Sequence, residues 1–219
     1  MSTHAVRCIA NGTITVFSLL LIITRMTSLS SSGYHLLWGI PALLILVLDI
    51  YFLTKSMLHQ PKGIDTTLSS FLLSVGASLG FGFSAIAIAY PASDLAYSSV
   101  LRELGSVIAV LPYPFIIWAL FCLKDCLTVI PEAHGVVARG IYKYSRHPLY
   151  VCFIVWATAN MMMFPSWAMI TVSVAHIILL LLRLKREERL LLATFSEYRT
   201  YYQRTGLIGN LRLGFLLGE

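Results

Sequence analysis

The lengths of the apolar runs constrain this chain before anything else does. Cys8 to Thr24, Tyr34 to Thr54, Thr66 to Tyr90 and Leu104 to Leu123 carry a single charge among them, Asp49, and each is bounded by charged or turn residues. A hydrocarbon layer of about 30 Å takes about 20 helical residues to cross, and the backbone polar groups inside it must be satisfied within the segment. Runs of this length therefore predict transmembrane helices. The composition agrees: 12% of the 219 residues are charged and the mean hydropathy is +0.79, whereas a soluble domain carries roughly 25% charged residues.

A fifth apolar run, Leu149 to Leu182, is too long for one crossing at about 1.5 Å per residue. Asn160 to Ser166, with Pro165, supplies a break in its middle, so the run predicts a tight helical hairpin. The fold expected is an all-α integral membrane protein of about five to six transmembrane helices, the last two forming that hairpin. Residues 1–124 are expected to hold four N-terminal spans, and residues 125–219 a loop, the hairpin and a cytoplasmic C-terminal helix, together a cofactor-binding module. The first run lacks a small-residue cleavage pattern and is expected to be retained as a helix.

Positive charges orient the chain. Lys55 and Lys62, then Lys124, Arg139, Lys143 and Arg146, then Lys185 through Arg212 fall in segments that alternate to share one side, which the positive-inside bias makes cytoplasmic, with both termini inside. The net charge of +6 is explained by the same bias and by anionic head groups, which leaves nucleic acid as a poor partner. Cys122 and Cys126 share a helix face, but no His or carboxylate pattern completes a metal site around them. Gly76 and Gly80 form a small-residue face for helix packing, Pro112 and Pro114 predict a kink in the fourth span, and Asp49 reads as interfacial, near Lys55. Asp49 without a relay of other acids argues weakly for an ion path, and no internal repeat supports a transporter.

Polar chemistry concentrates in two places. The first is His134 to Tyr150, His-Gly-Val-Val-Ala-Arg-Gly-Ile-Tyr-Lys-Tyr-Ser-Arg-His-Pro-Leu-Tyr. Pro148 keeps His147 out of the helical conformation and suits a first helical turn itself. A helix start flanked by Arg146 and His147 is a ready site for a carboxylate or phosphate, with Tyr142 and Tyr150 near enough to pack on a ligand, and Gly140 permits a turn. The second is Arg183 to Arg189, where Arg183 and Glu187 share a face one turn apart, while Lys185, Arg186 and Arg189 point in too many directions to converge and read as surface. A hairpin returns its exit end to its entry end, so the two clusters are expected to wall one pocket.

The order His134, Gly140, Tyr142, Arg146-His147-Pro148, Tyr150, then Arg183 with Glu187-Glu188, then Phe195, Tyr198 and Tyr201 resembles the isoprenylcysteine carboxyl methyltransferase family and the related phospholipid methyltransferases. The resemblance implies a membrane-embedded enzyme that uses S-adenosyl-L-methionine through the C-terminal module. It implies His134, Val136, Val137, Tyr142, His147, Pro148, Leu149, Tyr150 and Glu187 as cofactor-binding residues. Arg183 is implied to engage the methyl acceptor, and Arg183 and Glu187 to be the catalytic pair. No Gly-x-Gly-x-x-Gly in a strand context offers a different cradle. The implied partners are a lipophilic acceptor, a prenylated cysteine or a lipid, and the membrane itself, with no metal.

Isoprenylcysteine-type carboxyl O-methylation is the leading expectation. An N- or S-methyltransferase for phospholipids or other small lipophilic acceptors is the alternative, in which Glu188 or a Tyr accepts the proton of an amine. An NADPH-dependent membrane reductase of the sterol-reductase type is a further one, disfavoured by the short chain. The sequence departs from the family pattern at Ala138, often Thr, at Phe195-Ser-Glu-Tyr, commonly Phe-Gly-x-x-Tyr, and at Thr205-Gly-Leu-Ile-Gly, which lacks the frequent Pro.

Overall fold

A computed structural model describes residues 5–16, 35–89 and 98–207, with the backbone alone at 35–39 and 81–89. Its helices are α1 (5–16), α2 (His35–Met57), α3 (Leu68–Ala89), α4 (Ser99–Val110), α5 (Pro112–Leu123), α6 (Pro148–Met163), α7 (Trp167–Thr194) and α8 (Ser196–Arg204). Among the described residues, the departure from an all-α chain is one two-residue antiparallel pairing of β1 (Gly63–Ile64) with β2 (Glu132–Ala133). Among the described residues, three stretches are long and apolar enough to cross a membrane: Ile40–Met57, Ser99–Cys126 and Trp167–Thr194. Leu68–Gly80 and Pro148–Met163 are shorter apolar helices.

Local sequence sets the breaks. The expected kink in the fourth span is a change of helix at Leu111, where Pro112 takes the first turn of α5. That span begins earlier than Leu104, because Ser98 caps α4 by accepting a hydrogen bond from the Leu101 N–H at 3.3 Å. The hairpin break is shorter than Asn160 to Ser166: α6 runs through Asn160 to Met163, since the Asn160 amide bonds back to the Trp156 carbonyl at 2.9 Å. Ser166 then starts α7 by accepting from the Met169 N–H at 3.1 Å. Of the first expected span only the part up to residue 16 lies within the described residues, and Tyr90 falls outside them.

The hairpin helices are each clasped by an N-terminal helix, α7 by α3 and α6 by α4. Small residues allow this approach, as membrane helix packing requires. A Cβ on Gly80 would fall 1.8 Å from His176 Nδ1, and one on Gly76 would touch Leu179. The core that results is divided. One cluster joins α2, α5 and α6 through Phe52, Ile116, Leu120 and Cys152. A second binds α1 to α2 and to the loop before β2 through Ala10, Leu53 and Ile130.

Candidate active site

A cavity of about 220 Å³ opens where these clusters meet. Its lining comes from both sides of the boundary expected at 124/125. Along α7 it touches Leu180, Arg183, Glu187, Leu190 and Leu191, and along α2 Leu46, Asp49 and Leu53. Both spacings trace one helical face. On α7 the stripe covers about 16 Å at about 1.5 Å per residue, with apolar residues at both ends of the Arg–Glu pair.

The two polar clusters do meet. His134, Val136, Val137, Tyr142, His147, Leu149, Tyr150, Arg183 and Glu187 all line the cavity. Pro148 does not; it is buried at the first position of α6 and fixes where that helix starts. Gly140 adopts φ +59 and has no room for a Cβ, which would lie 2.4 Å from Cys122 Sγ. This turn swings the chain back toward α5 and aims Tyr142 inward.

Arg183 is held rather than loose. Its Nε donates to Glu187 Oε1 at 3.0 Å, Nη2 to the Thr128 carbonyl at 2.8 Å, and Nη1 reaches Ser78 Oγ at 3.5 Å. The guanidinium carbon stands 5.8 Å from the centre of the Tyr150 ring. The Tyr150 hydroxyl lies buried beside this pair without a hydrogen bond of normal geometry. The Tyr198 hydroxyl, also on a cavity-lining residue, is buried without a partner as well.

Arg146 lines the cavity beside His147 and is also bonded within the chain. Its Nε donates to Glu188 Oε1 at 2.6 Å and its Nη1 to the Tyr202 carbonyl at 3.0 Å and to the Thr205 carbonyl. The Arg146 N–H donates to the Gly206 carbonyl at 3.1 Å, and Ser145 Oγ to the Leu207 carbonyl. The Tyr202 ring covers the guanidinium at 4.1 Å. Glu188 also meets His147 Nε2 at 3.2 Å. Arg146 therefore ties the segment after α8 over the start of α6, and Glu188 is its buried counter-ion, outside the cavity lining, instead of a proton acceptor for a ligand.

Tyr201 donates to the Tyr142 carbonyl at 2.6 Å and stiffens the same wall. Burial pushes the Tyr142 and Tyr198 hydroxyls well above the usual phenol range and that of Tyr201 up to about 12. All three are neutral groups at ordinary pH.

Three features escape the sequence reading. Glu132 lines the cavity and is buried between Arg7 Nε, at 2.9 Å, and His134 Nε2, at 2.7 Å. Arg7 also donates to the Ser56 and His59 carbonyls at 3.3 and 3.1 Å, so α1 is locked against the loop that carries His134. The acid two residues before His134 was the available signal; its partner, 125 residues away, was not. Asp49 is not the neighbour of Lys55, which pairs with Asp125 at 3.1 Å; it faces the cavity. Arg186 is half-buried against the start of α3, donating to Ser70 Oγ at 3.0 Å and Thr67 Oγ1 at 3.3 Å and lying 3.7 Å from Asp65. No cluster of metal-ligating side chains occurs among the described residues.

No curated protein matches the chain. The loop, the hairpin and the Arg183–Glu187 face nevertheless fall in one recognisable unit: residues 106–193 match the family model described as isoprenylcysteine carboxyl methyltransferase (ICMT), the family that these motifs resemble.

Proposed function

We propose that the chain is an S-adenosyl-L-methionine-dependent methyltransferase embedded in a membrane, carrying out isoprenylcysteine-type carboxyl O-methylation of a lipophilic acceptor. The observation that carries this reading is the single cavity in which the 134–142 loop, the start of α6 and the Arg183–Glu187 face converge, continuing along apolar residues of α2, α3 and α6. A water-soluble cofactor and a greasy acceptor need such a two-ended chamber.

The residues fit the cofactor. The buried Tyr198 hydroxyl has no hydrogen-bond partner among the described residues beside the cavity, and at Gly135 a Cβ would meet nothing within 4 Å, so the loop leaves space for a ligand. In this reading the first-turn N–H groups of α6 at Leu149 and Tyr150, begun by Pro148 and flanked by His147, hold the carboxylate. Glu187 accepts from the ribose hydroxyls. His134, Val136, Val137 and Tyr142 flank the remainder. When bound, the cofactor supplies a methyl group activated by a sulfonium.

Arg183 presents its fork to the acceptor carboxylate, and its bonds to Glu187 and Thr128 fix the orientation of that fork. A carboxylate acceptor reacts by in-line displacement and has no proton to lose, so orientation and exclusion of water are what the chain contributes. Arg183 and Glu187 are thus the catalytic pair. The amine-acceptor alternative loses one of its two candidate bases, because Glu188 is buried with Arg146 and His147, and keeps a cavity-lining tyrosine as the other. In the same proposal the chain is multi-pass, the cofactor end of the cavity faces the cytoplasm, and residues 125–219 act as the cofactor module.

Calorimetric titration of the detergent-purified protein with S-adenosylmethionine, S-adenosylhomocysteine and NADPH tests the class. Binding of both adenosyl ligands, lost in Glu187→Ala and His147→Ala, is expected. Binding of NADPH alone, or of no ligand by folded protein, overturns the proposal.

A further inference from the structure

The proposed chemistry does not use Glu132, and its partner Arg7 lies on α1, outside the residues 106–193 that match the family. The Arg7 and Glu132 side chains are 4% and 2% exposed, and Glu132 lines the cavity together with His134. The carboxylate is divided between two partners: Oε1 receives Arg7 Nε at 2.9 Å, and Oε2 meets His134 Nε2 at 2.7 Å. Buried charges cost stability even when paired, and well-packed apolar residues would hold α1 in place at least as well.

The main chain before His134 is fixed. Glu132 and Ala133 pair with Ile64 and Gly63, the Lys62 N–H donates to the Ala133 carbonyl at 2.8 Å, and the Asp65 N–H to the Pro131 carbonyl at 3.1 Å. Arg7 is fixed as well, since its Nη2 donates to the Ser56 and His59 carbonyls at and just past the end of α2. Glu132 therefore reaches His134 from a rigid frame. Arg7 offers only donors, and an ionised carboxylate only acceptors. The contact at Oε2 thus calls for the proton on His134 Nε2, and in the neutral ring Nδ1 is then an acceptor. We propose that Arg7 and Glu132 are positioning residues for the cofactor: they lock the His134 imidazole in the Nε2–H tautomer, so that Nδ1 accepts from an N–H group of bound S-adenosylmethionine. The inference rests on the methyltransferase reading of the site.

Glu132→Gln tests it with almost no change of shape. The Arg7 donor takes the amide oxygen and turns the amide NH2 toward His134, so Nε2 must become the acceptor and Nδ1 the donor. In Arg7→Met/Glu132→Gln that donor is gone, and the amide is free to flip and restore the wild-type tautomer. Two readouts are taken on the detergent-purified full chain. One is the nitrogen NMR signals of the His134 ring without ligand, assigned by their loss in His134→Ala; the other is calorimetric binding of S-adenosylhomocysteine. The wild type is expected to show the Nε2–H ring. Glu132→Gln is expected to show the Nδ1–H ring and about tenfold weaker binding, the equivalent of one hydrogen bond. The double variant regains the tautomer and most of the affinity, and Glu132→Gln has no further effect on binding in a His134→Ala background.

A wild-type ring that is Nδ1–H or doubly protonated, or a Glu132→Gln variant unchanged in tautomer or affinity, overturns the proposal. So does a folded double variant that binds more weakly than the single one, because losses of packing accumulate where a tautomer is rescued. If the double variant does not fold, the single variant against the wild type decides by the same signals. If the wild type binds no S-adenosylhomocysteine, the cofactor reading fails by itself, and the ring signals still decide whether Arg7 and Glu132 set His134.

Discussion

Glu187 and Glu188 are neighbours in sequence with opposite fates. Successive helical positions diverge by about 100°, so Glu187 faces the cavity beside Arg183 while Glu188 turns to Arg146 and His147. Their substitutions should separate accordingly. The Arg146 and Glu188 side chains are 5% and 2% exposed, and removing one partner of a buried pair leaves an uncompensated charge that costs about 3–5 kcal/mol. Arg146→Ala is expected to lower the Tm strongly and to speed proteolysis after residue 201, as thermal unfolding and limited digestion read out. Glu187→Ala should abolish cofactor binding with a smaller loss of stability than Arg146→Ala, because its pair, 14% and 19% exposed, is partly open to the cavity. Both Arg146 and Arg183 line the cavity, but the carbonyls of 202 and 205 tie the first to the segment after α8, whereas the second is held by Glu187, Ser78 and the Thr128 carbonyl.

At the scale of elements, the seam between α3 and α7 is the tightest test. Gly80→Val would drive a side chain into the His176 ring, and overpacking of this kind costs about 1–3 kcal/mol. Denaturation in mixed micelles should show that loss, whereas Gly12→Ala, where a Cβ meets nothing, should not. The start of α3 adds a pH dependence. Burial works to raise the Asp65 carboxyl, but hydrogen bonds from Ser70 and Thr67 and the Arg186 charge outweigh it and hold the group below the usual carboxylate range. A depressed folded-state value gives stability that is present above the unfolded value and is lost as pH falls through the folded one. The Tm advantage of the wild type over Asp65→Asn should therefore be full at neutral pH and close in the acid range.

For the whole molecule the cavity couples the N-terminal helices to the family-matched region, since Leu46, Asp49 and Ala77 share its wall with Tyr150 and Arg183. The proposed orientation has a direct check. Tyr144 is 68% exposed on the loop that enters α6, so a Tyr144→Cys thiol in sealed vesicles should react with an impermeant maleimide from the cytoplasmic side alone. Labelling from the opposite face would reverse the orientation.

The sequence by itself determined which stretches are apolar enough to span a membrane and where polar residues concentrate. Run length fixed α2, α3 and the hairpin, because a chain in lipid must satisfy its own backbone, and Pro148 marked a helix start that local sterics dictate, whereas Pro112, read as a kink, and Ser166, read as the end of a break, begin α5 and α7. The pairing of Arg183 with Glu187 was legible because it spans one helical turn. What the tertiary structure alone decided is everything joined over long separations: Arg7 with Glu132, Arg146 with the 202–207 segment, Arg186 with Asp65, and Asp49 facing the cavity instead of Lys55. Helical periodicity states which residues share a face. Which neighbour that face meets depends on how whole helices pack, and no local pattern encodes it.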